Sequence, residues 1–299
     1  MRTGLRMAML ALISASGLAA QQAAIFEFHS GFWVNLHQFL CGQAMDEKSS
    51  GGSPAWQEAV AYYRRDVVKH DQLDDDMAAI NNRLSRAGSD ARPGVEGPLA
   101  AVLEKVAAEY RKEWWPKHDQ ANRAWIEAVT PLIEKYGAAM KADIAAAFQT
   151  RWPAEAIRTE VAVNAGWAGA YTTNNPTLIT VSSTNPDYQG LASLEMLFHE
   201  ASHSLDDKVN TALSAELEAR KVLFRRRGFG HAILFYTAGE IARRNLGEYV
   251  PFGVKNGILE RGWPGSLAVL EKDWKPYLEG RSSLSDAVTA IVRAYGVSK

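Results

Sequence analysis

A short apolar stretch with the pattern H-E-x-x-H constrains this chain more than any other feature. Residues 191–205 are mostly apolar around His199, Glu200 and His203. At a helical repeat of 3.6 residues the apolar side chains cover most of the circumference, which predicts a helix buried in the core. Two imidazoles and a carboxylate are costly to bury unless partners compensate them. The fold must therefore bury this helix and also supply those partners.

The histidine spacing indicates a metal ion as that partner. Two side chains four residues apart project from one face of a helix, so His199 and His203 can both reach one Zn²⁺ at about 2.0–2.1 Å. Glu200 lies about 100° around the helix, where it can take a proton from a zinc-activated water and deliver it to a leaving amine. The alternative is a pair of hydrogen-bonded core histidines, and the pattern arises by chance in roughly one such chain in a hundred.

The first twenty residues have the pattern of a secretory signal peptide. Arg2 and Arg6 precede an apolar stretch at 7–13, and small residues dominate 14–20. The apolar part is too short to cross a bilayer, and no later segment approaches about 18 consecutive apolar residues. We therefore expect a secreted or periplasmic protein without a membrane span. The alternative is an ordinary amphipathic helix at the N-terminus.

Composition excludes two further possibilities. Removal of residues 1–20 changes the formal net charge from −1 to −3, so the chain lacks the basic surface expected of a nucleic-acid-binding protein. Cys41 is the single cysteine, which excludes an intramolecular disulfide. Stability must therefore come from the core, and about 280 residues suffice for one large domain or two closely packed lobes.

Helical patterns dominate residues 21–152. Apolar positions three to four residues apart predict a first helix over 26–40. His29 and His37 would lie on it about 11–12 Å apart, too far to share one ion, and we interpret them as core or cleft-lining residues. Further helices are predicted at 56–68, 74–86, 99–114, 118–136 and 138–148. We interpret 21–152 as a helical N-terminal lobe and 153–299 as the catalytic region with C-terminal helices.

Strand signals appear between Pro153 and the histidine helix. Residues 158–164 and 177–182 are rich in β-branched side chains, and 166–173 combines a strand pattern with glycines. We therefore expect a small antiparallel sheet directly before the helix. Gly169, Ala170 and Tyr171 are predicted to form an edge strand that binds extended substrate backbone. The alternative is that the glycines mark a bulge or tight packing.

These features together resemble the zincin metallopeptidases, in their gluzincin branch. A β-hairpin, an H-E-x-x-H helix and a later helical segment with a glutamate carry the resemblance, over roughly residues 158–245. The resemblance implies a zincin-like α+β fold, here predominantly helical. It also implies Zn²⁺ at His199 and His203, Glu200 as general base, and a downstream glutamate as third ligand. The metzincin branch is disfavoured, because residues 204–210 lack the glycine and histidine of its longer motif.

Three glutamates are candidates for the third ligand. Glu216 and Glu218 lie among arginines and lysines on a solvated helix, where surface ion pairs are expected. Glu240 lies among apolar residues, and its carboxylate needs a counter-charge that Zn²⁺ would supply. We therefore predict Glu240 as the ligand.

Two further side chains are predicted to stabilise an oxyanion during the reaction. Tyr236 lies one turn before Glu240 on the same helix face. His231 lies nine residues before Glu240, which places it on the opposite side of a straight helix. It would therefore have to sit at a bend or in a loop. For both residues, packing or a structural hydrogen bond is the alternative.

The predicted function is a secreted zinc metallopeptidase that acts on peptide or protein substrates. Two alternatives remain: a zinc-binding scaffold or binding protein without turnover, and a zinc hydrolase of a non-peptide amide. The glutamate within H-E-x-x-H favours an enzyme, because a structural zinc ion needs no base. The oligomeric state is left open.

Overall fold

A computed structural model describes residues 24–48 and 51–298. The signal peptide predicted for residues 1–20 lies outside the described residues. The helices are α1 Phe32–Met45, α2 Pro54–Tyr62, α3 Asp75–Arg86, α4 Gly97–Glu113, α5 Trp115–Ala147, α6 Leu191–Ser202, α7 Asp207–Arg220, α8 Phe229–Leu246, α9 Phe252–Lys255, α10 Ile258–Gly262, α11 Ser266–Val269, α12 Lys275–Leu278 and α13 Leu284–Tyr295, with π-helical turns at Tyr63–Val67 and Leu270–Trp274. The strands are β1 Phe26–His29, β2 Ile157–Ala162, β3 Ala170–Thr173, β4 Leu178–Ser182, β5 Val222–Phe224 and β6 Gly296–Ser298.

Four strands form one mixed sheet in the order β1-β2-β4-β3. β2 is parallel to both β1 and β4, and only β3 is antiparallel, to β4. The predominantly helical α+β class is confirmed, but the prediction of an antiparallel sheet is wrong for two of the three pairings. Long connections allow parallel pairing, and both β1 and β2 are followed by long segments before their sheet neighbours. β5 and β6 form a separate antiparallel pair.

The helix predicted over 26–40 is in fact a strand followed by a helix. Phe26 pairs with Ile157 in the sheet, so tertiary pairing overrides the helical spacing of its aromatic residues. The break lies at Gly31, whose backbone N–H donates to the Glu160 carboxylate at 3.1 Å. A carboxylate at this position also suits the N-terminus of α1.

The two helices predicted at 118–136 and 138–148 are one 33-residue helix, α5. Gly137 separates the two predicted segments but does not end the helix. A Cβ at this position would lie 2.8 Å from Cδ1 of Ile25, so the glycine permits close packing of α5 on the segment before β1.

The buried apolar residues in the described part of the chain form two clusters. One cluster lies between Phe32 and Tyr110, and the other combines β1, α5, the sheet, α6, α8 and the C-terminal helices. The boundary predicted at residue 152 therefore does not separate the clusters, because α5 belongs to the second one. In the part of the chain described, no helix has the length and hydropathy needed to cross a membrane.

The mixed sheet lies between helices. Successive side chains of a strand point to opposite faces, and β3 shows this directly. Thr172 contacts Glu200 of α6, whereas the Tyr171 hydroxyl accepts a hydrogen bond from Gln38 of α1. The H-E-x-x-H helix thus covers one face of the sheet and α1 covers the other.

Candidate metal centre and cleft

Helix α6 positions the first two histidines. Every residue of α6 from Ser193 onward is buried, which confirms the predicted buried helix. His199 is 2% exposed. His203 directly follows the last residue of α6 and keeps helical backbone angles of φ −61° and ψ −19°. Their ring centroids are therefore only 5.2 Å apart.

A third histidine, His231 in the first turn of α8, completes a compact group. Its ring centroid lies 5.2 Å from that of His199 and 5.1 Å from that of His203. One ligand nitrogen from each ring can be chosen so that all three lie within 4.8 Å of one another.

One nitrogen–nitrogen distance in this group is compatible with a shared metal ion. Nε2 of His199 and Nε2 of His231 are 3.2 Å apart. Two nitrogens on one tetrahedral Zn²⁺ at about 2.0–2.1 Å lie roughly 3.3–3.4 Å from each other. The three imidazoles therefore form a group that could hold a metal ion.

The prediction of Glu240 as the third ligand is corrected by this geometry. His231 and Glu240 lie nine residues apart on α8, so they face opposite sides of the helix. The Glu240 carboxylate accepts two hydrogen bonds from Arg243, at 2.8 Å from Nε and 2.6 Å from Nη2. The counter-charge of the buried glutamate is therefore an arginine three residues along the helix, which the sequence interpretation missed.

The structure also gives the positions of the other residues predicted for this region. Tyr236 lines a separate cavity of about 380 Å³ together with Glu240 and Arg243, so its predicted role at the oxyanion is also corrected. His231, predicted to stabilise an oxyanion from a bend or loop, lies instead in the first turn of α8 and belongs to the group that could hold a metal. Glu216 pairs with Arg220 on α7, as expected of a surface helix. Among the described residues, the group that could hold a metal contains neither Glu216 nor Glu218.

Glu200 is held next to the histidines by strand β3. Its side chain is buried, and its Oε2 accepts a hydrogen bond from the Thr172 hydroxyl, with an oxygen–oxygen distance of 2.8 Å. Burial raises the pKa of Glu200 to about 7, and the bond from Thr172 opposes this rise. A carboxyl group with this pKa can both accept and release a proton near neutral pH.

Burial also keeps the three imidazoles neutral. It lowers the pKa of His203 to about 3 and that of His231 to about 4. The pKa of His199 is well below its ordinary value, through burial first and then through the other two histidines. Unprotonated imidazole is the form that binds a metal.

The histidines and Glu200 lie on the floor of a cleft of about 740 Å³. Its wall is β3, which is an edge strand of the sheet, as predicted. Ala170 and Tyr171 line the cleft, whereas Gly169 precedes them at a turn with φ 78° and is not among the lining residues.

Several cleft residues were missed by the sequence interpretation. They come from loops and helices far apart in the chain: Leu73, Trp167, Asn185, Tyr188, Phe235, Arg261 and Trp263. The Phe235 ring lies on His199 with a centroid distance of 3.8 Å. The Tyr188 hydroxyl donates to the Ala168 carbonyl at 2.5 Å, which fixes the loop that carries Trp167. The one detectable signal was Phe235, one turn after His231 on the same helix face.

Comparisons of the chain with protein-family models, with curated proteins and with solved structures each found no match.

Proposed function

We propose that this protein is a zinc-dependent metallopeptidase in which His199, His203 and His231 hold the metal and Glu200 is the general base. One observation carries the proposal: three neutral imidazoles and a carboxyl group with a raised pKa meet on the floor of a cleft. A strand edge forms the wall of that cleft and offers backbone groups to an extended peptide.

Each part of the proposed site has a separate role in the reaction. Zinc, when bound, polarises the scissile carbonyl and lowers the pKa of water towards about 7. Glu200 takes up a proton at its carboxylate and returns it to the leaving amine, while Thr172 holds that carboxylate in place. Strand β3 aligns the peptide backbone with the histidine group.

A catalytic role is favoured over a structural one by the number of ligands. Structural zinc sites have four protein ligands, whereas catalytic sites have three and keep one position open. Among the described residues the group contains three histidines, and His203 and His231 are partly exposed towards the cleft. The fourth position would therefore face the substrate.

The test combines metal analysis with a cleavage assay on a mixed peptide library. We expect about one zinc per chain and cleavage of a subset of peptides. The Glu200→Gln variant should keep its zinc and lose turnover by roughly 10²–10⁴-fold, because general base catalysis contributes about that factor. Absence of zinc after reconstitution would overturn the proposal. Zinc without cleavage would favour a scaffold, or a hydrolase of a non-peptide amide.

We also propose export from the cytoplasm as the setting of this activity, on the pattern of residues 1–20. Fractionation of cells that express the full chain should find a shortened protein outside the cytoplasm. A chain without residues 1–20 should stay inside.

A further inference from the structure

Positive charge is concentrated around the short strand β5. Residues 220–227 read R-K-V-L-F-R-R-R, and residues 219–239 contain no acid. Since β5 occupies the middle of this stretch, the cations stand at its two ends. All five are exposed residues: Arg220, Lys221, Arg225, Arg226 and Arg227.

The charge of this region has the opposite sign to that of the rest of the chain. Residues 216–227 contain these five cations and two acids, Glu216 and Glu218, which gives a net charge of +3. The chain after residue 20 carries −3, so the remainder of it carries −6. Glu216 pairs with Arg220. Even if each acid neutralises one cation, three positive charges remain.

An exposed apolar pair lies among the cations. Leu223 and Val297 are directly opposite each other in the pairing of β5 with β6, so their side chains project from the same face. Leu223 is 53% exposed and Val297 is 43% exposed. The neighbouring Phe224 packs inward, with its ring 4.8 Å from the ring of the buried Phe229. One face of this small sheet thus packs on the core, and the other presents two aliphatic side chains to solvent.

The cations flank the apolar pair closely. Lys221 and Arg225 each lie two residues from Leu223, which is about 7 Å of extended chain. The Arg225 backbone N–H donates to the Tyr295 carbonyl at 3.2 Å and continues the ladder of β5 and β6. Its guanidinium carbon lies 5.5 Å from the centre of the Tyr295 ring, so this arginine is anchored next to the strand. We call the five cations with Leu223 and Val297 the β5 patch.

This combination matches the surface of an anionic phospholipid bilayer. Guanidinium groups form paired hydrogen bonds with phosphate oxygens. Exposed aliphatic side chains gain free energy when they leave water for the boundary between headgroups and acyl chains, and binding strength grows with both the buried apolar area and the charge. A nucleic acid would match the charges, but its phosphate backbone offers Leu223 and Val297 no apolar environment.

We propose that the β5 patch is a docking site for an anionic phospholipid bilayer. The cations bind headgroup phosphates, and Leu223 and Val297 enter the interface between them. Such docking is peripheral and needs no membrane-spanning helix, and none is found among the described residues. The proposal goes beyond the proposed metallopeptidase activity and does not depend on it.

The β5 patch borders the catalytic cleft. The Arg227 carbonyl accepts a hydrogen bond from Trp263 Nε1 at 3.0 Å. Trp263 lines the cleft, and its ring centroid lies 5.8 Å from that of His231. Docking would therefore hold the cleft close to the bilayer surface.

The experiment measures co-sedimentation of the purified protein with lipid vesicles. Vesicles of phosphatidylcholine alone are compared with vesicles that also contain phosphatidylglycerol, at low and at high salt concentration. We expect binding to the anionic vesicles only, and weaker binding at high salt because salt screens exposed charges. Parent and variants are purified in the same processed form, so that they differ only at the substituted residues.

Two double variants separate the contributions of charge and apolar area. Arg226→Gln with Arg227→Gln removes two charges, each of which raises binding to an anionic surface about fivefold, so the partition coefficient should fall roughly 25-fold. Leu223→Ser with Val297→Ser keeps the charges and should lower the partition coefficient roughly tenfold. All four residues are exposed, so both variants should fold, which circular dichroism checks.

Arg83→Gln with Arg86→Gln is the matched control. Both arginines are exposed and lie at the end of α3, which packs in the other buried cluster. This variant has the same change in net charge as Arg226→Gln with Arg227→Gln. It should bind anionic vesicles as the parent does.

The docking site is refuted by any of four results. Two are the absence of binding to anionic vesicles and equal binding to both kinds of vesicle. The third is an equal loss in the Arg83 and Arg86 control, which would mean that net charge alone drives binding. The fourth is unchanged binding after loss of Leu223 and Val297 together with tight binding of duplex DNA, which would identify a polyanion as the partner. Zinc content and peptide cleavage test the proposed function separately.

Discussion

His231 and Glu240 occupy opposite sides of helix α8, and a pair of substitutions separates their roles. His231→Ala removes one of the three proposed ligands and should abolish stoichiometric zinc binding. Glu240→Ala should retain about one zinc per chain, because its carboxylate is bound to Arg243. Elemental analysis after equilibrium dialysis measures both. Zinc lost in Glu240→Ala but kept in His231→Ala would restore the glutamate as the ligand.

The Glu240→Ala variant should still be less stable than the parent. It removes two charge-assisted hydrogen bonds from a side chain that is 4% exposed. Since Arg243 is 42% exposed and can turn to water, we expect a loss of about 1–3 kcal/mol in the free energy of unfolding. Chemical denaturation of the metal-free proteins gives this value. An unchanged free energy would mean that the ion pair does not stabilise the fold.

The part of the candidate site that depends on local spacing could be predicted from the sequence, whereas the third ligand that we propose, His231, could not. His199, Glu200 and His203 follow from one turn of helix. The third ligand depends on which side of α8 meets α6, which is decided by packing between elements far apart in the chain. Two local signals were still present. Arg243 stands three residues after Glu240, and the nine-residue spacing to His231 means that only one of the two can face the metal.

At the scale of elements, the contact between β3 and α6 lowers the proton affinity of the proposed base, Glu200, and so opposes the effect of its burial. The Thr172 hydroxyl donates to Glu200 and lowers its pKa, so Thr172→Val should raise that pKa further above its present value of about 7. A general base acts when deprotonated, and the rate falls as pH drops through its pKa. The acid limb of kcat/KM against pH should therefore shift to higher pH.

Thr173 provides the control for this shift. It is also buried in β3, but its side chain lies on the other face and its hydroxyl has no hydrogen-bond partner. Thr173→Val should leave the acid limb in place. Equal shifts in both variants would mean that the effect comes from general loosening of the strand.

Elements that depend on local pattern were predicted closely, and those that depend on distant pairing were not. The sequence predicts a helix over 74–86, and α3 of the structure is Asp75–Arg86. The sequence predicts a helix at β1, because the spacing of its aromatic residues suits both the 3.6-residue period of a helix and the two-residue period of a strand. Only its pairing with β2, far along the chain, makes it a strand. The parallel pairing of β2 with β1 and β4 likewise depends on contacts between separate segments of the chain.

At the scale of the whole molecule, metal binding and stability should be linked. The histidines join α6 to α8, and both helices contribute to the second buried cluster. A ligand that binds only the folded state stabilises it by about 4 kcal/mol at a thousandfold excess over its Kd. Chelation should therefore lower the Tm of the parent and of Glu240→Ala, and leave the Tm of His231→Ala unchanged. A parent Tm that does not respond to chelation would argue against a metal in this position.

The position of β1 has a consequence for the order in which the molecule assembles. All buried residues of the first cluster lie between Phe32 and Tyr110, so the contacts among them need no segment that follows α4. β1 precedes this cluster, yet its partner strand begins at Ile157. During synthesis on the ribosome, which proceeds from the N-terminus, the helical cluster can fold while β1 still lacks β2. β1, the first strand in the described part of the chain, would then join the sheet after the helical cluster has formed.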